Sequence, residues 1–169
     1  MRPPPPALAI LAALAQRALS RGAQPPTATR VAAASGTAAV SGMLAAAAAR
    51  ELRGQGTTLD PFYPTRASVL VTTGANAVSR NPMYVGLAGL LVANAVRRGS
   101  WAALLPVAAF VLAIDRVQIT PEEGALLARF GSDFEAYHAA VPRWLGLRSL
   151  TAVGITHGRS DPDGADAGR

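Results

Sequence analysis

The chain has no cysteine and no lysine, only two histidines, and few aromatic or charged side chains, 5% and 15% of its 169 residues. Without cysteine there are no disulfides, thiolate metal sites or cysteine nucleophiles. His138 and His157 stand far apart and belong to no ligand cluster, so no metal is expected. Soluble domains carry about 25% charged residues. The shortfall here, with half the residues apolar and a mean hydropathy of +0.25, argues against disorder and leans toward a membrane protein. The 37 alanines favour helices but bury little area each. All 16 cations are arginine, a bias that suggests a GC-rich bacterial genome and accounts for part of the net charge of +6. These cations are scattered, with no run longer than Arg97-Arg98, which excludes the concentrated basic stripe of a nucleic-acid binder. Soluble-enzyme motifs are missing too: Gly54-Gln55-Gly56 lacks a third glycine, and there is neither a P-loop nor a G-x-S-x-G elbow.

What is present is a succession of apolar runs. Residues 1–6 (MRPPPP) predict a stiff extended start. Ala7 to Ala15 then reads as a short membrane helix in preference to a secretory signal, with Arg17 snorkelling at its end. Val31 to Ala49 has no charge over 19 residues, close to the roughly 20 needed to span a bilayer. Gly54 to Thr65 reads as a loop. Met83 to Val96 and Trp101 to Ile114 are two further apolar runs joined by the four residues Arg97-Arg98-Gly99-Ser100, a helical hairpin. Counted with their flanks, as Asn81 to Arg98 and Ser100 to Gln118, its arms are long enough to span. Thr120-Pro121-Glu122-Glu123 fits a capping box that starts a new helix, which Gly131 ends. Ser132-Asp133-Phe134-Glu135 repeats the pattern, and Phe130, Phe134 and Tyr137 form an aromatic stripe expected to pack on the hairpin. The expected fold is all-α: about four transmembrane helices with a cytosolic C-terminal helical cap. Residues 1–56 would hold the N-terminal helices and linker, 57–148 the functional core, and 149–169 a disordered tail.

An antiparallel hairpin returns the chain to the side where it began. Thr72 to Tyr84 and Asp115 to Glu123 should therefore meet at one membrane face, gathering Arg80, Asn81, Tyr84, Glu122 and Glu123 into a polar pocket. Each also has a plain structural reading. Asn81 is an N-cap, and Glu122 and Glu123 complete a cap or favour the helix dipole. Arg80 is a topological anchor, and Tyr84, Trp101 and Trp144 are interfacial aromatics.

The segments Leu70-Val71-Thr72-Thr73-Gly74 and Ser79-Arg80-Asn81-Pro82-Met83-Tyr84-Val85-Gly86 carry a family resemblance. So do Pro121-Glu122-Glu123, Leu126, Phe130-Gly131, Phe134, Tyr137 and Val141-Pro142-Arg143-Trp144. In order and spacing they resemble the isoprenylcysteine carboxyl methyltransferase-like family, grouped with membrane phospholipid methyltransferases, over about residues 57–146. The resemblance implies an integral-membrane enzyme that uses S-adenosylmethionine without a Rossmann domain. It places Val71, Thr73, Gly74, Arg80, Asn81, Pro82, Tyr84, Glu122 and Glu123 in the cofactor pocket. Arg80, Glu122 and Arg143 would be the catalytic residues, with Arg143 or Arg116 orienting an anionic acceptor. One departure is plain: the family commonly has Gly-x-Tyr ahead of its Arg-Asn-Pro, and here Gly74-Ala75-Asn76 stands in its place. An aromatic wall is thereby lost, which leaves acceptor preference open.

Two readings follow. One is a methyltransferase acting on a lipophilic small-molecule or prenylated acceptor drawn from the membrane lipid. The other is an inactive membrane protein of the same fold that binds a lipid or a partner. With spans at 7–20, 31–49, 82–98 and 100–118, one face holds Arg50, Arg53, Arg66, Arg80, Arg129, Arg143 and Arg148, against Arg21, Arg30, Arg97 and Arg98 opposite. The positive-inside rule then puts the polar cluster in the cytosol, in a bacterial inner membrane.

Overall fold

The structure is a computed structural model that describes residues 3–54, 69–146 and 149. Among these residues every regular element is helical. Helix α1 spans Pro5–Leu19 and α2 spans Ala28–Gly54. A single turn, α3 (Ala75–Val78), precedes α4 (Pro82–Arg98). Helix α5 runs continuously over Trp101–Phe130, and α6 covers Ser132–Ala140. The predicted loop after Gly54 and most of the predicted tail lie outside the described residues. Ser149 is an exception: it is buried, and its hydroxyl donates to the Val78 carbonyl at 2.7 Å.

The extended start gives way earlier than the prolines suggest. Pro4 is extended (φ −63°, ψ 135°), but Pro5 and Pro6 occupy the first helical turn, where a missing N–H costs nothing. The hairpin forms as expected, closed by Gly99 in the left-handed region (φ 61°). Its second arm forms too but does not end where expected. The capping-box reading of Thr120–Glu123 is wrong, because Thr120 is helical (φ −56°, ψ −47°) and the helix passes straight through it. A proline inside a helix lacks one amide donor and crowds the carbonyl four residues back. Here a π-helical turn, Ile114–Ile119, stands directly before Thr120-Pro121, and the Thr120 hydroxyl donates to the Asp115 carbonyl at 2.9 Å.

Gln16, near the end of α1, donates to the carbonyls of Leu91 and Ala103, both at 2.9 Å, and accepts from Asn94 at 2.7 Å. These bonds dock α1 beside α4 in the same direction. In contrast α2 runs against α4: Arg30 lies against Gly99, and Glu51 reaches Gly74. Between them α4 offers glycine to α2. A Cβ at Gly86 would stand 2.7 Å from Ala45 Cβ and 2.8 Å from the Ser41 carbonyl. Such small-residue contacts let helix backbones approach closely in lipid. The apolar core is Tyr84, Leu91, Ala95, Ala103, Val107, Phe110, Ile114 and Ile119, with α1 packed on it through Leu8, Ala9, Ala12 and Ala13.

Helices α2 and α5 are long and apolar enough to cross a bilayer; α1 and α4, at 15 and 17 residues, are shorter. The alternating directions leave the molecule with two ends. One holds the links from α1 to α2 and from α4 to α5. The other gathers the end of α2, the segment from residue 69 to the start of α4, the second half of α5, and α6.

Candidate functional site

At this second end the two polar segments flanking the hairpin meet. Because α5 continues as one helix, Glu122 and Glu123 project from its side and reach α4. The Arg80 guanidinium donates through Nε and Nη2 to Glu123 Oε1, at 3.1 and 2.9 Å. Its Nη1 donates to the carbonyls of His138 and Val141 at the end of α6. Both side chains are nearly sequestered, 7% and 12% exposed. Arg143 binds the same carboxylate through Nε at 3.2 Å and pairs its Nη2 with Oε2, while its Nη1 donates to both oxygens of Asp115, at 3.1 and 3.3 Å. Trp144 Nε1 completes the chain with a bond to Asp115 Oδ1 at 3.1 Å. The bonds to Glu123 hold the Arg143 guanidinium above its ordinary pKa, against the opposing effect of burial.

Beside this network the Tyr84 hydroxyl donates to Glu122 Oε1 at 2.8 Å, and Gln118 Nε2 donates to the same oxygen at 2.6 Å. Asn81 stands at the N-terminus of α4 but caps nothing with its side chain. Its amide donates instead to the Arg143 carbonyl at 3.1 Å, a bond that the plain N-cap reading did not foresee. The Ser79 hydroxyl donates to the same carbonyl at 2.9 Å, and the Arg80 amide to the Pro142 carbonyl at 2.9 Å. The segment after α6 is thus stitched along the start of α4. Pro82 is buried at the first helical turn.

A second cluster forms around α3. Glu51, from the end of α2, accepts from the Thr73 hydroxyl at 2.6 Å and the Ala75 amide at 3.2 Å. Gly74 has φ +55°, and a Cβ there would stand 2.7 Å from Glu51 Oε1, so glycine is needed both for backbone and for space. Val71 is buried beneath. Asn76 is 7% exposed and its Nδ2 has no partner among the described residues, while its carbonyl accepts from the Tyr137 hydroxyl at 2.7 Å. Burial holds the Tyr137 phenol above its ordinary pKa; Arg80 opposes this, and Glu51 and Glu123 add to it. Tyr137 therefore lies in the electric field of both clusters. The aromatic stripe is tied here, to the segment before the hairpin, with Phe134 packed edge-on against Tyr137 at 6.3 Å between centroids.

The structure brings Arg80, Asn81, Tyr84, Glu122, Glu123 and Arg143 into one network and Val71, Thr73 and Gly74 into its neighbour. Arg116 stays outside, 74% exposed and 3.5 Å from Asp115. Trp101, 89% exposed, lies in the turn at the opposite end, and Trp144 is a hydrogen-bond donor of the network. Sequence reasoning passed over Glu51, Asp115 and Gln118 as site residues. Glu51 carried a signal, being the first acid in the chain, one residue beyond Arg50 at the close of the charge-free run.

Fold and site together describe an apolar helical protein with a charged cluster built at one end of its helices. Residues 29–133 match the family model described as phospholipid methyltransferase, and the chain belongs to that family. An uncharacterized protein of Haemophilus influenzae (strain ATCC 51907 / DSM 11121 / KW20 / Rd) is 38% identical over 63 residues, which is 37% of this chain and all of that protein. No solved structure matches.

Proposed function

We propose that the chain is an integral-membrane methyltransferase that uses S-adenosylmethionine and methylates a lipophilic acceptor, an isoprenylcysteine-type carboxylate or another isoprenoid or lipid group. The observation that carries this reading is the convergence of Arg80 and Tyr84 with Glu123 and Glu122 across the hairpin, in a chain of the phospholipid methyltransferase family. That match does not favour an inactive lipid- or partner-binding module.

The donor set fits the cofactor. It has an ammonium, a carboxylate and a sulfonium, and the pocket offers charges of both signs. Glu51 accepts only from neutral donors among the described residues, and the orphaned Asn76 Nδ2 supplies a buried donor nearby. Glu51, Glu122 and Glu123 would hold the cationic groups. Arg80 and the backbone at Asn81-Pro82 would receive the carboxylate, with Tyr84, Val71, Thr73 and Gly74 shaping the wall. The cofactor supplies an electrophilic methyl group when bound. In-line displacement requires alignment of donor and acceptor and exclusion of water, and the network's task is that alignment. Arg143 would orient an anionic acceptor from the side of Asp115. Four spans, α1, α2, α4 and the apolar part of α5, would place the pocket at the cytosolic face under α6, open to acceptors arriving sideways from the bilayer.

The test is transfer of radiolabelled methyl from S-adenosylmethionine into the organic phase by membranes holding the chain. Label in extractable lipid or prenylcysteine analogue, lost in Glu122→Gln, supports the reading. No label with any acceptor class, from folded protein, overturns it.

A further inference from the structure

Between α1 and α4 lies a groove of about 540 Å³ that runs along α4 away from the charged cluster. Ile10 and Leu14 form one wall, Leu87 and Leu90 the other, and Arg17 and Arg98 close one end. Neither arginine has an ion pair among the described residues, and Arg98 Nε is buried without a partner. The imbalance extends to the whole end of the molecule. Arg17, Arg21, Arg30, Arg97 and Arg98 collect there, whereas every described acid (Glu51, Asp115, Glu122, Glu123, Asp133 and Glu135) belongs to the elements of the other end. Cations beside apolar surface without counter-charge are costly, and a planar guanidinium pair matches a phosphate. From Leu87 to Arg98 the groove follows α4 for about 16 Å at 1.5 Å per residue, about half the ~30 Å hydrocarbon thickness of a bilayer.

We propose that this groove binds an anionic glycerophospholipid, its phosphate between Arg17 and Arg98 and one acyl chain laid between α1 and α4. The bound lipid is not the methyl acceptor, because its headgroup sits at the end of the helices opposite Glu122 and Glu123. It instead neutralises the arginine end and fastens α1 to the hairpin, where its polar anchor among the described residues is Gln16. The inference is independent of the methyl-transfer reading.

The experiment uses the full chain, delipidated in detergent, with native mass spectrometry and thermal unfolding read in parallel. Phosphatidylglycerol is compared with phosphatidylcholine of the same chains and with inorganic phosphate. Phosphatidylglycerol is expected to remain bound and raise the midpoint, and the other two to do neither. Arg17→Gln with Arg98→Gln should weaken phosphatidylglycerol binding about tenfold or more. Leu90→Trp, which crowds a half-exposed wall and keeps both arginines, should weaken it as well. Equal effects of the two lipids, equal effect of free phosphate, or undiminished binding by either variant would overturn the proposal. Should the arginine double variant not fold, the lipid comparison on the unaltered chain and Leu90→Trp still decide.

Discussion

Arg80 and Glu123, 43 residues apart in sequence, share one carboxylate oxygen through two guanidinium nitrogens, at 3.1 and 2.9 Å. This pair clamps the start of α4 to the second half of α5, and through the His138 and Val141 carbonyls it also holds the end of α6. Without Arg80, Glu123 keeps only Arg143 as its cationic partner and the His138 and Val141 carbonyls lose a donor, at a cost of about 1.5–3 kcal/mol per charged hydrogen bond lost. Arg80→Ala should therefore lower unfolding stability in detergent by that order. Arg116→Ala, an exposed pair, should change it by under ~1 kcal/mol. Equal effects of the two variants would contradict the clamp.

Gly74 meets both a backbone and a spatial demand. Gly74→Ala places a Cβ at φ +55° and against the Glu51 carboxylate. The backbone at φ +55° and ψ −124°, a sparsely populated region for a residue with a Cβ, alone costs about 1–3 kcal/mol. Adding Glu51→Ala relieves the clash and leaves the backbone cost, so the double variant should recover part of the lost stability. Full recovery, or none, in thermal unfolding would refute the geometry.

Gly86 sets the approach of α2 to α4. Gly86→Val overfills a contact already closed by Ala45 and Ser41 and should cost about 1–3 kcal/mol. Gly42→Val, where nothing lies within 4 Å of an added Cβ, is the control and should be nearly neutral.

Tyr137 gives a pH signature. Its folded phenol titrates above the unfolded value of 10.0. A raised acid contributes stability fully below the unfolded value, and that contribution is lost as pH rises past 10. Tyr137→Phe gives up the bond to the Asn76 carbonyl, about 1 kcal/mol. It should also lose stability less steeply than the parent chain between neutral pH and pH above 10. Identical slopes would contradict the buried hydrogen bond.

Much of this was legible in the sequence. Charge-free runs joined by Arg97-Arg98-Gly99-Ser100 force an antiparallel return, and that alone brings Arg80 and Tyr84 toward Glu122 and Glu123. The continuity of α5 was not legible. Thr120-Pro121 followed by two glutamates is the pattern of a helix start, and a π-turn that admits proline inside a helix leaves no mark in composition. Glu51 was hidden for another reason. Its partners Thr73 and Ala75 come more than 20 residues later, and the antiparallel pairing of α2 with α4 that brings them together depends on three-dimensional fit at Ser41, Ala45 and Gly86. Gln16 shows the same limit: one amide ending a short apolar run is unremarkable until its three partners on α4 and at the start of α5 appear.

The most direct test of the central claim, that both clusters form one cofactor pocket, is calorimetric binding of S-adenosylmethionine to the detergent-purified chain. Glu51→Gln and the pair Glu122→Gln with Glu123→Gln are measured beside it, each checked for folding by its thermal transition. The account predicts saturable binding by the parent chain, weakened by Glu51→Gln and abolished by the double variant. No binding by a folded parent chain, or undiminished binding by the folded variants, would contradict it.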